Sequence, residues 1–499
     1  MSRQTCPSRQ TRLPLPSGRR RASRPRAVLS AFLLLLPVTS GCAVNPVTGQ
    51  RQFSLFSESQ EIQLGREADP DIVASLGLYD DPELQRYVQA LGERMARESE
   101  RPNLPWTFRV LDDPTVNAFA LPGGFIYVTR GILTHFSSEA ELAGVLGHEI
   151  GHVTARHGVS QVSRAQLAQL GLGVGTILAP DLAPFAELAG AGLGLLFLSY
   201  GRDAERQADD LGLRYMTREG YDPREMAATF EMLAAASGAE DGDRIPGFLS
   251  THPEPLSRRD RILGRIQAGE VFGSRVERES YLMRLEGMTF GENPREGFFR
   301  NGVFLHPDMA FRIDFPAGWR TLNQREAVQG MSTEGDAALV LTLADAATAR
   351  AARDGFAGSQ GITASNLRDE SLNGLATSRA DFTAAVEGGA LRGTVLFIEH
   401  GGLVFRVLGY APGDRWSARS GTVIQALQSF RVLTDPAVLG MQPDRIRLVR
   451  VDQAKTLETF QARHSPTVPA QIIGTINRVR PGETIPAGTL VKAVAPGTP

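Results

Sequence analysis

Cysteine is almost absent from this sequence: two in 499 residues, Cys6 and Cys42. The apolar stretches are either short or broken by proline, and a bilayer-spanning helix needs about 20 continuous apolar residues. No stripe of basic residues appears, no 34-residue repeat is present, and there are only eight histidines. Each shortage excludes something. One thiol beyond the basic N-terminal segment leaves no internal disulfide framework. The lack of a basic stripe argues against nucleic acid as partner. Scarce histidine makes any pair at metal-binding spacing informative. The formal net charge of −2 hides an asymmetry: residues 1–26 carry eight Arg and no acid, and residues 27–41 carry no charge. Removing those eight positive charges leaves −10 from Cys42 onward, a moderately acidic body. An apolar share of 42% with 22% charge is ordinary for a globular protein. The length exceeds what one hydrophobic core organises, so two or three domains are expected.

The Arg-rich head runs into the apolar stretch Ala27–Leu36 and then Pro37-Val38-Thr39-Ser40-Gly41-Cys42. A positive region, a short apolar core and small residues at its end make residues 1–41 a secretory signal peptide. The segment around Cys42 resembles the lipobox of bacterial lipoproteins, departing from it at Thr39, where an aliphatic residue is commoner. The resemblance implies lipidation of Cys42, with simple cleavage as the alternative. Ala43 in the next position then implies a periplasmic protein anchored by lipid to the outer membrane.

Along the body, Leu84, Val88, Leu91 and Met95 fall at helical spacing, so residues 60–100 read as helices. Trp106–Leu111, Asn117–Leu121 and Phe125–Val128, punctuated by Asp112-Asp113-Pro114 and Pro122-Gly123-Gly124, predict a small antiparallel sheet. Ser138 and Glu141 form a capping box ahead of a helix with Leu142, Val145, Leu146 and Val153 on its apolar face and Gly158 as its stop. Leu170–Leu198 is rich in Gly, Ala and Leu but broken by Pro180 and Pro184, which suits buried or membrane-facing hairpin helices. Helices over Asp203–Arg218 and Pro223–Ala236, the latter capped by Asp222, complete an α-rich domain over residues 42–285.

The style changes after about residue 290. Phe311–Trp319, Ala338–Leu343, Gly393–Glu399 and Leu403–Tyr410 alternate like strands and Arg415–Phe430 reads as a helix, an α+β module over 290–435. It resembles small domains of the photosystem extrinsic-protein or Ran-binding type, which also open with a strand ending in Phe-Pro-x-Gly-Trp. Residues 443–499 form a last unit, with a strand, a helix around Thr456–Ala462, Pro481-Gly482-Glu483 and Leu490-Val491-Lys492. That unit resembles a degenerate peptidoglycan-binding LysM repeat. The whole is of the α+β class.

The chemistry concentrates in His148-Glu149-Ile150-Gly151-His152. On a helix the two histidines lie one turn apart on one face, where both imidazoles can bind one metal, with Glu149 beside them to act on a water. Two surface histidines on an ordinary helix are the bland alternative. Catalytic zinc takes three protein ligands, so a third must come from elsewhere. Glu205 and Asp209, four apart on one helical face, could supply the metal ligand and a hydrogen-bond partner for the outer nitrogen of a ligand histidine. Taken alone, that acidic patch would be a solvated face.

With Asn117-Ala118-Phe119-Ala120-Leu121-Pro122-Gly123-Gly124, Ser250-Thr251-His252-Pro253, Arg258 and Asn45-Pro46-Val47-Thr48-Gly49-Gln50, these motifs make residues 42–265 similar to one zinc metallopeptidase family. It is the gluzincin family of the prenyl-protein (CAAX) protease, the heat-shock membrane protease HtpX and periplasmic outer-membrane-assembly proteases. The resemblance implies one zinc ion on His148, His152 and Glu205, with Glu149 as catalytic base and acid. It brings His252 near the zinc, as a fourth, regulating ligand or as an oxyanion donor, and makes Arg258 a partner of the oxyanion or of a nearby carboxylate. His135, His157, His306, His400 and His464 are given no metal role. The stretch Asn117, Ala118, Phe119 and Ala120, ahead of its turn, suits an edge strand on which an extended substrate could pair through its main chain.

The family departures are two. The tetratricopeptide array of the outer-membrane-assembly members has no counterpart here, nor have the long spans of the integral-membrane members. The expected function is a zinc endopeptidase acting in quality control on unfolded or misassembled envelope proteins. Its partners would be the membrane, through Cys42, and peptidoglycan, through the last unit. The rival is a binding or chaperone scaffold whose zinc site stays latched.

Overall fold

The computed structural model describes residues 42–169, 200–236, 247–386 and 389–497. The signal segment 1–41 and the expected hairpin helices of Leu170–Leu198 lie outside the described residues. Two helices open the body. Glu58–Leu76 starts at a complete capping box between Ser57 and Gln60. Pro82–Arg97 starts at Asp81, which accepts the N–H groups of Glu83 and Leu84, and it buries Leu84, Val88, Leu91 and Met95 as their spacing predicts.

The small sheet has three strands and differs from the expected antiparallel one. Phe125–Thr129 lies at its centre, paired parallel to Thr107–Leu111 and antiparallel to Ala118–Leu121. The turn at Asp112-Asp113-Pro114 does not fold its flanking strands together. It carries the chain across, and the third strand inserts between the first two. Ala118–Leu121 is thereby an edge strand. It joins the central strand through Gly123 and Gly124 at φ 84° and 103°, a backbone that glycine adopts without cost. A Cβ on Gly123 would also stand 2.6 Å from the Ile62 Cα.

The motif helix runs over Glu139–Thr154. Ser138 accepts the Glu141 N–H at 3.2 Å, but the Glu141 carboxylate accepts the Ser137 N–H at 2.6 Å, so only half of the expected box forms. All 16 residues of this helix are buried, not one apolar face. Nor does Gly158 stop it: the helix ends at Thr154, Arg156 turns at φ 60°, and a new helix, His157–Gln169, begins at once. The helix Arg202–Arg218, which carries Glu205 and Asp209, packs against the motif helix. Pro223–Ala236 follows, with Asp222 accepting the Arg224 N–H at 2.9 Å. Pro255–Gln267 packs on it in turn.

The C-terminal unit pairs the strand Arg445–Arg450 antiparallel with Leu490–Ala495 around two helices, Leu457–His464 and Ala470–Asn477. Its buried residues, among them Ile446, Phe460, Ile473 and Val494, belong to the same core as Val88, Leu146 and Phe230. The polar joins are as deep. Fully buried Lys492 donates to the carbonyls of Thr134 and Phe136, just ahead of the motif helix, and Arg478 pairs with Glu141 at 2.8 Å.

Residues between build a separate core around Phe304, Phe311, Ile313, Leu339, Phe405, Val407 and Phe430. A seven-stranded antiparallel sheet runs in the order Ile362–Leu372, Leu375–Val386, Gly389–His400, Leu403–Pro412, Ala338–Leu343, Val328–Met331, Arg320–Asn323. The helices Ala349–Ala357 and Trp416–Gln428 pack on it, and four short strands form a second sheet. The strands expected at Ala338, Gly393 and Leu403 are present. Ile362–Leu372 escaped the pattern because most of its residues are exposed, leaving no alternation to read.

Candidate metal centre

Small residues bring the site together. Gly147 and Gly151 on the motif helix face Gly212 and Ala208 on the helix Arg202–Arg218. A Cβ on Gly212 would stand 2.7 Å from the His148 backbone nitrogen, and one on Gly151 would stand 3.0 Å from the Ala208 carbonyl. Only side chains this small let two helix backbones approach so closely. The approach delivers Glu205 to both histidines: its carboxylate lies 3.5 Å from His148 Nε2 and 3.4 Å from His152 Nε2, and those two nitrogens lie 3.0 Å apart.

A third element closes the group. The four-residue helix Phe248–Thr251 ends on His252, whose ring stacks on Phe248 at 4.3 Å. His252 Nδ1 stands 3.2 Å from His148 Nε2 and 2.9 Å from Glu205 Oε1. One atom from each of His148, His152, Glu205 and His252 lies within 4.8 Å of the rest, and all four residues are buried. Lone pairs crowded this closely need a shared proton or a cation between them. Two imidazoles and a carboxylate, with a third imidazole in reach, are donors that zinc accepts.

Glu149 points into the same space from the motif helix. Neither of its carboxylate oxygens has a hydrogen-bond partner, and the nearest group able to carry positive charge is His252 Nε2 at 3.7 Å. Burial pushes its carboxyl up to about 8. Burial likewise lowers His148 to about 4 and holds His152 well below the usual range, so both rings are neutral and offer lone pairs. For Glu205 burial acts upward, but His252, His152 and His148 together outweigh it and keep its carboxyl ionised.

Asp209 and Arg258 stand behind the cluster. His148 Nδ1 lies 3.0 Å from Asp209 Oδ1, which leaves Nε2 bare toward the cluster. Arg258 lies 2.6 Å from Asp209 and 2.9 Å from Glu205, and its Nη2 also stands 3.1 Å from His148 Nδ1. Burial raises Asp209, yet Arg258 and His148 outweigh it and bring the carboxyl down to about 2. Ala118, Phe119 and Asn117 are buried, and Phe119 stacks on Tyr127 at 4.9 Å. Ala120, Leu121 and Pro122 line a small cleft together with His152 and Tyr200, which places the edge strand beside the cluster.

Three neighbours of the site were not foreseen. Tyr200 stacks on His152 with ring centres 4.0 Å apart, His157 Nδ1 lies 3.0 Å from His152 Nδ1, and Gln207 Oε1 lies 2.9 Å from His157 Nε2. For Tyr200 the only signal was a lone aromatic at the end of the Gly/Leu-rich stretch. Gln207, two residues beyond Glu205, had none.

A cluster of this kind, on two helices packed at glycine, could hold one metal ion. Comparison with known families is consistent with this: residues 82–266 match the model of Peptidase family M48. The sequence is 32% identical to a beta-barrel assembly-enhancing protease of Yersinia pestis over 46% of this chain and 51% of that protein. It is 34% identical to the mitochondrial metalloendopeptidase OMA1 of Arabidopsis thaliana over 38% of each. The chain thus spans about half the length of the first of these relatives or less. The structure is also similar to cyanobacterial PsbP from Synechocystis, with a TM-score of 0.22 at 13% identity over 27% of this chain and 95% of that one.

Proposed function

We propose that this protein is a zinc-dependent endopeptidase of the bacterial cell envelope, acting on unfolded or misassembled periplasmic or outer-membrane proteins. The observation that carries the reading is Glu149: a buried carboxylate with no hydrogen-bond partner, beside four donors gathered for one metal ion. His148, His152 and Glu205 would hold the zinc. When bound, zinc polarises a carbonyl oxygen and lowers the pKa of a nearby water. Glu149 takes a proton from the attacking water as the new C–O bond forms, and later returns it to the amide nitrogen as the C–N bond breaks. Asp209 keeps His148 in the ligating tautomer, and Arg258 balances the charge of Asp209 and Glu205. The edge strand Ala118–Leu121 would hold an extended substrate by main-chain pairing, a mode that asks little of the substrate's side chains.

His252, already among the donors, would act as a latch on the resting site or as an oxyanion donor. The names of the bacterial relatives support the envelope setting. The lipid anchor on Cys42 rests on the signal segment and its Ser-Gly-Cys ending; a Cys42→Ser protein that still pellets with membranes would remove it. A contact of the C-terminal unit with peptidoglycan rests on the resemblance of residues 443–499 to a LysM repeat. The second reading, a scaffold with a latched site, draws on His252 standing inside the donor set.

One experiment separates the two. Cleavage of unfolded casein is followed for the natural chain, for the same chain with chelator, and for Glu149→Gln. The peptidase reading expects turnover that chelator abolishes and that Glu149→Gln lowers by about three orders of magnitude with zinc retained. No turnover by the zinc-loaded natural chain leaves the scaffold.

A further inference from the structure

Each histidine of the motif turns one ring nitrogen toward the cluster and the other toward the protein. For His148 the outer partner is the Asp209 carboxylate, at 3.0 Å. For His152 it is another imidazole: Nδ1 of His152 and Nδ1 of His157 are 3.0 Å apart. The second nitrogen of His157, Nε2, lies 2.9 Å from Gln207 Oε1. Gln207 comes from the same helix as Glu205, two residues further on.

Hydrogen-bond accounting gives this chain one direction. Two Nδ1 atoms 3.0 Å apart cannot both carry hydrogen, so one donates and the other accepts. A neutral imidazole has one N–H and one lone pair. His152 keeps its Nε2 lone pair for the cluster, so its hydrogen is on Nδ1. His157 therefore accepts at Nδ1 and carries its own hydrogen on Nε2. That hydrogen needs an acceptor, and the Gln207 carbonyl oxygen stands where it points. The opposite direction would place the His152 hydrogen on Nε2, toward His148 Nε2, and remove the lone pair.

The fold goes out of its way to make this contact. On a continuous α-helix, His157 would sit five residues beyond His152, about 140° round the axis and far from its ring. The break at Arg156, at φ 60°, restarts the helix and swings His157 back. Arg156 is itself held in that turn by Glu61 at 3.0 Å and by the Phe56 carbonyl at 2.8 Å.

We propose that His157 and Gln207 are positioning residues that fix the tautomer and ring plane of the zinc ligand His152, the part Asp209 plays for His148. The inference rests on the metal reading above and deepens it. One ligand histidine is backed by an anion and the other by a neutral relay, so the two donors of the motif differ in strength.

The test is Zn²⁺ affinity of the full chain, read by competition with a chromophoric chelator, beside the melting temperature of the metal-free protein. His157→Phe keeps a ring but no acceptor, and its affinity is expected to fall about ten- to hundredfold. His157→Asn places Oδ1 close to the former Nδ1 and should recover most of the loss. Gln207→Ala, at a half-exposed position, should cost several-fold. The relay is overturned if His157→Phe, or Gln207→Ala where the Phe variant does not fold, binds Zn²⁺ as tightly as the natural chain. It is equally overturned if His157→Asn is as weak as His157→Phe. The control is His148→Ala. Loss of zinc there with retention in His157→Phe rejects the relay alone; retention in His148→Ala rejects the metal reading and the relay with it.

Discussion

The domain that carries the metal centre and the α+β module after residue 290 are stabilised in different ways. Around the centre, ionisable groups are buried in number: Glu61, Arg101, Glu149, Arg156, Glu205, Asp209 and Arg258, with Arg130, Glu139, Glu141 and Lys492 nearby. In the module the core is phenylalanine and aliphatic residues, and among its described charged side chains only Arg353 and Arg379 are buried. A sheet with an apolar core needs no charge inside. Burying an ion costs several kcal/mol unless partners compensate it, so a cluster of buried ions marks a place where chemistry set the composition. The centre's charges compensate one another, and Glu149 is the member whose carboxyl oxygens have no hydrogen-bond partner.

Breaking one ion pair in each region puts that contrast to measurement. Arg258→Ala strips the buried Asp209 and Glu205 of their shared cation and should destabilise the domain by about 3–5 kcal/mol. Arg353→Ala leaves Asp354 and Asp369, both solvated, and should cost about 1 kcal/mol or less. Denaturant unfolding of the two variants, followed by hydrogen exchange in each region, checks the ratio; equal losses would erase the distinction.

A smaller effect sharpens it, because the module holds a half-buried histidine whose pKa is depressed. His306 Nδ1 accepts the Met309 N–H at 3.2 Å, and burial lowers its pKa from 6.5 to about 4, with Asp308 acting upward and Arg295 downward. A histidine whose folded pKa is depressed contributes stability that is whole above pH 6.5 and is lost as pH falls through about 4. The loss is at most on the order of 3 kcal/mol. Hydrogen exchange in Val303–His306 and Phe311–Asp314 should quicken over that window. His306→Asn, which keeps an acceptor that does not titrate there, should flatten the response; an unchanged pH dependence in that variant would assign it to another group.

Much of this was legible in the residues. The period of Leu84, Val88, Leu91 and Met95, and the alternation at Ala338, Gly393 and Leu403, report local burial, which repeats with the geometry of the element. The spacing of His148 and His152 likewise states that two imidazoles share a helical face, whatever surrounds the helix. The misread elements depended on partners far along the chain. The first sheet is mixed because its third strand inserts between the other two. Glu141 leaves its capping box for Arg478, 337 residues away. Gly158 ends nothing because Arg156 turns the chain first.

Residue spacing by itself determined the motif helix and the chemistry its side chains can perform, since those depend on residue type and on a few bonds of backbone. Tertiary structure decided which carboxylate reaches the histidines, that His252 and Tyr200 join them, and that His157 stands behind His152. It did so through contacts between helices held apart by a glycine's width. Such distances depend on how whole elements pack, and no local pattern encodes them.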